Sequence, residues 1–178
     1  MDVLRLPGLA KYDIEVGIVD LQIIGSDRAR SPQLYVDDPH ESVRCTYNQG
    51  LLEVVGNGIA ALQHRAELVL EVPSKYSLGV NSAIVTAGNV VIQGLSARFI
   101  RVQSSLAPVT IRNTTLTGAA NIDIERSDLE ISDLNAGGNV RAKTNKGSMT
   151  IKDSSAPKWI LTVGRQLNTE NVAGTIEA

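Results

Sequence analysis

The densest group of possible metal ligands in this chain is Asp37, Asp38, His40 and Glu41. Carboxylate oxygens and an imidazole hold a divalent cation when a turn gathers them. Their spacing matches no metal-binding signature, and Asp37-Asp38-Pro39 is ordinary turn chemistry, so a turn is the expected reading. A second group, Asp123, Glu125, Asp128, Glu130 and Asp133, would suit proton transfer on an acidic polysaccharide if two of its carboxylates met in one groove. Asp123 and Glu125 alternate with Ile122 and Ile124, however. That pattern turns the acids outward as a solvated strand face near Arg112 and Arg126. His40 and His64 lie far from those acids in the chain, which removes the usual proton carrier from the set.

Other chemistry-bearing residues read as structure. Gly56-Asn57-Gly58-Ile59-Ala60-Ala61, with Glu71 after the next apolar run, mimics a dinucleotide fingerprint. The room for a helix, residues 59–66, is too short for the crossover that such a unit requires, so a turn or short helical connection is expected. Ser104, Ser105, Ser127, Ser132, Ser154 and Ser155 fall at corners and lack a neighbouring base that would activate a hydroxyl. Asn113-Thr114-Thr115 fits a glycosylation sequon but reads better as a corner. Trp159, the single tryptophan, is expected to cover the end of the fold, and the lone Cys45 forms no internal disulfide. No catalytic, cofactor-binding or metal residue is predicted.

The elements that carry these residues are strands. Hydrophobic residues make up 43% of 178 residues and aromatics only 3%, so the core is aliphatic and β-branched. Few aromatics also disfavour sugar binding by ring stacking. The net charge of −2 is dispersed, which leaves no basic patch for nucleic acid. No apolar run is long enough to span a membrane, and residues 1–7 lack the pattern of a secretory signal.

Apolar pairs recur along the second half: Val90/Ile92, Val109/Ile111, Leu129/Ile131 and Met149/Ile151. A second series is Ile100/Val102, Ile122/Ile124, Val140/Ala142 and Leu161/Val163. Gly and Asn punctuate both series. Spacings of about 20 residues predict an all-β, single-domain β-solenoid. Residues 1–66 form an irregular lead-in and cap, and residues 67–178 carry the regular turns. In the first half, Ile14, Val16 and Ile18 alternate before the phase shifts to Leu21 and Ile23, which predicts a bulge near Val19.

Several segments together carry a resemblance: Gly50-Leu51-Leu52-Glu53-Val54, Leu68-Val69-Leu70-Glu71-Val72-Pro73, Leu78-Gly79-Val80-Asn81-Ser82, Gly88-Asn89-Val90-Val91-Ile92 and Lys146-Gly147-Ser148-Met149-Thr150-Ile151. With them the chain resembles the bacterial family named putative adhesins, β-solenoid domains of unknown function. The resemblance implies a surface or envelope module with no shared catalytic residues.

The expected function is a non-catalytic structural or adhesive module of the bacterial cell envelope, binding a protein or glycan partner through outward Thr, Asn and Arg side chains. One alternative is a scaffold that assembles end to end through the strand at Gly174–Ala178. The other is a β-helical polysaccharide lyase or hydrolase.

Overall fold

A computed structural model describes residues 1–178. The N-terminal portion holds β1 (Asp2–Arg5), β2 (Lys11–Ser26), β3 (Gln33–Asp37), β4 (Val43–Asn48), β5 (Leu51–Gly56), the single helical turn α1 (Ala60–Gln63) and β6 (Ala66–Pro73). The remainder holds β7 (Ser77–Gln93), β8 (Ser96–Ser104), β9 (Val109–Leu116) and β10 (Ala120–Ile124). It continues with β11 (Leu129–Ala136), β12 (Val140–Thr144), β13 (Met149–Val163) and β14 (Leu167–Glu177).

The all-β class is as expected, but the expected β-solenoid is corrected. Hydrogen-bonded pairing runs β7–β8–β10–β12–β13–β11–β9 and returns to β7, closing a barrel of seven parallel strands. The physical reason lies in two long strands that bend. β7 pairs with β8 along Ser77–Val85 and with β9 along Val90–Gln93. β13 pairs with β11 through Met149–Ser155 and with β12 through Trp159–Val163. Each therefore joins both sides of the ring. Apolar spacing reports which residues are neighbours across strands. It carries no information on whether the two sides are joined at their ends.

The first apolar series consists of register partners: Val90 beside Val109, Leu129 beside Val109 and Met149, and Ile131 beside Ile111 and Ile151. In the second series alternate pairs are displaced by one alternation: Ile100 and Val140 share a row through Ala120, but Ile122/Ile124 and Leu161/Val163 are offset from it. Val102 neighbours Ile122, which neighbours Ala142, which neighbours Leu161, while Ile124 stands beside Ser104 and Thr144. Alternation alone could not resolve this, because Ala120, Ile122 and Ile124 all face inward and any two of them fit the template.

The N-terminal strands continue the same core. β2 lies parallel to β7 on one side, and parallel to β5 and then β6 on the other. β3 and β1 extend the β6 edge as antiparallel strands, and β4 does the same beyond β5. The phase shift in β2 falls at Gly17, earlier than Val19: Tyr12, Ile14 and Val16 are buried before it, and Val19, Leu21 and Ile23 after it. Gly17 is required there because the backbone of α1 crosses directly over it, and any Cβ would overlap the carbonyl of Ala61. One cluster of 42 buried residues runs from Leu6 to Leu161, so the N-terminal strands and the barrel share a single interior.

Candidate functional site

Three neighbouring strands bend at the same kind of residue. Asn113 in β9, Asp133 in β11 and Asp153 in β13 have φ of 45°, 51° and 49°, and Asn171 in β14 follows at 53°. Asn and Asp enter the left-handed region more readily than other residues bearing a Cβ. Each such residue also resets the inward alternation. In β9 the buried residues are Val109 and Ile111 before Asn113, then Thr114 and Leu116 after it. Leu129, Ile131, Leu134 and Ala136 follow the same scheme around Asp133, as do Met149, Ile151, Ser154 and Ala156 around Asp153.

Parallel register stacks these bends into a ladder on the outer surface. Thr115, Asn135 and Ser155 form a second row beside it. Together the rows line an open polar groove of about 430 Å³. Within it, Asn171 Nδ2 donates to Asp153 Oδ1 at 2.8 Å, and Ser155 Oγ donates to Asn135 Oδ1 at 3.0 Å. Beneath the groove, buried Ser154 donates its hydroxyl to the Lys152 carbonyl at 2.7 Å while accepting the Leu134 N–H at 3.1 Å. Buried Thr114 donates to the Arg112 carbonyl at 2.9 Å. These hydroxyls satisfy backbone groups left over by the bend, so the ladder is held from below and presents amides and carboxylates to solvent.

The acids singled out from the sequence are distributed, not gathered. Asp123, on β10, has Gln103 and Lys143 as its cross-strand neighbours. Glu125 receives both hydrogen bonds from Asn145 Nδ2 at 3.1 Å. Asp128 sits in the next turn, accepting the Ser148 N–H at 2.8 Å. Glu130 lies on β11 between Thr110 and Thr150. Asp133 alone belongs to the ladder. No three His, Cys, Asp or Glu side chains are grouped as a metal site anywhere in the chain.

The Asp37–Glu41 group is a turn. Asp38 accepts the Ser42 N–H at 2.9 Å, the Ser42 hydroxyl at 2.6 Å and the Val43 N–H at 2.9 Å. Partial burial pushes its carboxyl pKa up, but these hydrogen bonds and the charge of His40 outweigh that and hold it below the usual value. The rings of His40 and His64 stack with centroids 3.9 Å apart, a contact between two distant segments that neither neighbourhood in the sequence signals.

The glycine-rich segment is packing. Asn57 Nδ2 donates to the Glu41 carbonyl, Asn57 Oδ1 accepts from Arg44, and α1 is a single turn seated on Gly17. Glu71 is a β6 residue beside Ile24 and Gln33. The corner serines donate to nearby carbonyls, Ser104 to Ala107 at 2.6 Å and Ser127 to Leu106 at 2.9 Å. Trp159 is fully buried between Val140 of β12 and Ile176 of β14, so it is an interior residue and not an end cover. Cys45 is half-buried, and burial first, then the charge of Asp38, pushes its thiol pKa up to about 11.

The ladder was missed in the sequence because its members look like ordinary polar corner residues. The available signal was a polar residue wherever the apolar phase slips, as between Ile131 and Leu134.

No family model matches this chain, and no curated protein matches it. Three solved structures align with nearly the whole length of the chain at low identity. One is described as a putative cell adhesion protein from Clostridium sporogenes, at 10% identity and TM-score 0.47, covering 98% of this chain and 97% of that one. The second is described as a putative adhesin from Bacteroides fragilis, at 15% identity and TM-score 0.37, covering 98% and 94%. A third, a putative adhesin from Parabacteroides merdae, is 14% identical with TM-score 0.32, covering 97% and 94%.

Proposed function

We propose that this protein is a non-catalytic adhesive module of the bacterial cell envelope that binds an extended polar partner, protein or glycan, along the corner ladder. The observation that carries the reading is the alignment of Asn113, Asp133, Asp153 and Asn171 at left-handed bends above a hydrogen-bonded floor. Rows of amide and carboxylate groups at the inter-strand spacing offer repeated acceptors and donors to a chain lying along them. A rigid backing keeps those groups in place before the partner arrives, which lowers the cost of association. The envelope location follows from the sequence resemblance described above.

The test is co-sedimentation of the intact protein with purified bacterial cell-wall sacculi, together with a glycan and surface-protein binding screen. Asp133→Lys with Asp153→Lys is expected to abolish whatever binding the unaltered protein displays. Binding that survives the double change removes the ladder as the contact face. Release of soluble product from an acidic polysaccharide would establish catalysis and overturn the reading altogether.

A further inference from the structure

We propose that the free side of β14 is a docking edge for a second copy of this chain, paired antiparallel about a two-fold axis at the bend Asn171–Gly174. β14 pairs only with β13, so one side of an 11-residue strand carries unpaired backbone groups. Exposed edges are normally guarded by Lys, Arg or Pro, and β14 contains none of these. Its two charged residues are already matched, Glu170 by Lys152 at 3.7 Å and Glu177 by Lys158 at 2.7 Å. The edge therefore offers little charge against self-association.

The apolar interior also continues to this edge. Register places Leu167 beside buried Met149, Thr169 beside Ile151, Val172 beside Ser154 and Ile176 beside Trp159. These four are the inward residues of β14, yet Ile176 remains 41% exposed.

Shape selects the pairing. Asn171 and Gly174 both have positive φ, 53° and 115°, so β14 turns a corner with an arm on either side. A two-fold axis through the middle of that corner reverses the strand and superposes bend on bend. Asn171 then faces the partner's Gly174, Glu170 the partner's Thr175, Thr169 the partner's Ile176, and Asn168 the partner's Glu177. Along both arms inward residues meet inward ones and outward meet outward, because the bend shifts the alternation. No glutamate meets a glutamate. A slip of one residue would misalign the bends and oppose inward Ile176 with the partner's outward Asn168.

Light scattering on size-separated protein over a range of concentrations tests the proposal. The expected result is a mass rising with concentration from 19.0 kDa to twice that value. Thr175→Lys, which faces the partner's Glu170 twice per dimer, should lower the association midpoint about tenfold, and Thr175→Glu should raise it about tenfold. The two changes share one exposed position, so a common loss of fold cannot mimic opposite shifts. A constant monomer mass up to millimolar concentration overturns the proposal. So does a dimer that responds alike to both changes, since another face would then be in use. The readout is mass alone, so its failure leaves ligand binding at the corner ladder untouched.

Discussion

The indole N–H of Trp159 donates to the backbone carbonyl of Ala173 at 3.0 Å, tying the interior of β13 to the bend of β14. A buried aromatic of this size makes many close contacts, and its single donor is satisfied by the strand stacked over it. Trp159→Ala should cost about 3–5 kcal/mol. Trp159→Phe keeps a ring but loses this hydrogen bond and part of the side-chain volume, and should cost about 1–3 kcal/mol. Urea denaturation followed by circular dichroism checks both, and a Trp159→Phe protein as stable as the unaltered one would show that the hydrogen bond contributes nothing.

Gly17→Ala should destabilise the fold by about 1–3 kcal/mol, because the added methyl must displace the backbone of α1. Gly8 supplies the control: its φ is +73° but nothing lies within 4 Å of a Cβ there. Gly8→Ala bears only the left-handed strain, about 1 kcal/mol. Chemical denaturation of the pair separates crowding from backbone strain. A smaller loss at Gly17 than at Gly8 would contradict the packing described for α1.

Tyr12 is 1% exposed, and its hydroxyl has no hydrogen-bond partner. Burial holds its pKa far above the ordinary phenol value. Removing an unpaired buried polar group relieves its desolvation cost, so Tyr12→Phe should stabilise the protein by about 1 kcal/mol. A fall in the thermal midpoint would refute this.

Asp38 links stability to pH. Its folded pKa lies below the ordinary aspartate value, so the folded state binds this proton less readily than the unfolded chain. The resulting stabilisation is fully present above the unfolded pKa and disappears as pH falls through the folded one. Asp38→Asn should cost about 1 kcal/mol near neutrality, a modest value because the group is largely solvated. That cost should shrink below about pH 4. Parallel urea titrations at pH 7 and pH 3 provide the check, and a cost that grows in acid would reverse the sign of the argument.

The legible part of this molecule was its strand content and much of its inward face. Val109, Leu129 and Met149 announced themselves because β-branched and aliphatic residues alternate cleanly there. Ring closure was not legible, because it depends on how the two ends of β7 and β13 choose partners. The corner ladder was hidden for a different reason. Asp133 and Asp153 owe their role to a backbone conformation, and the sequence shows only a polar residue followed by a shifted apolar phase. The stacked imidazoles of His40 and His64 come from separate segments, so no local pattern could pair them.

The register of β2 has a consequence for biosynthesis. Asp13 pairs with Ser82, 69 residues further along, whereas Val109 and Leu129 are 20 apart. Closing the longer loop costs about 1 kcal/mol more in chain entropy. On a ribosome, β2 must also wait for the segment around Ser82 to emerge before its β7 side can be covered. The earliest-made long strand is thus exposed on that side for a substantial part of synthesis, whereas each strand from β9 to β13 meets its predecessor almost as soon as it appears.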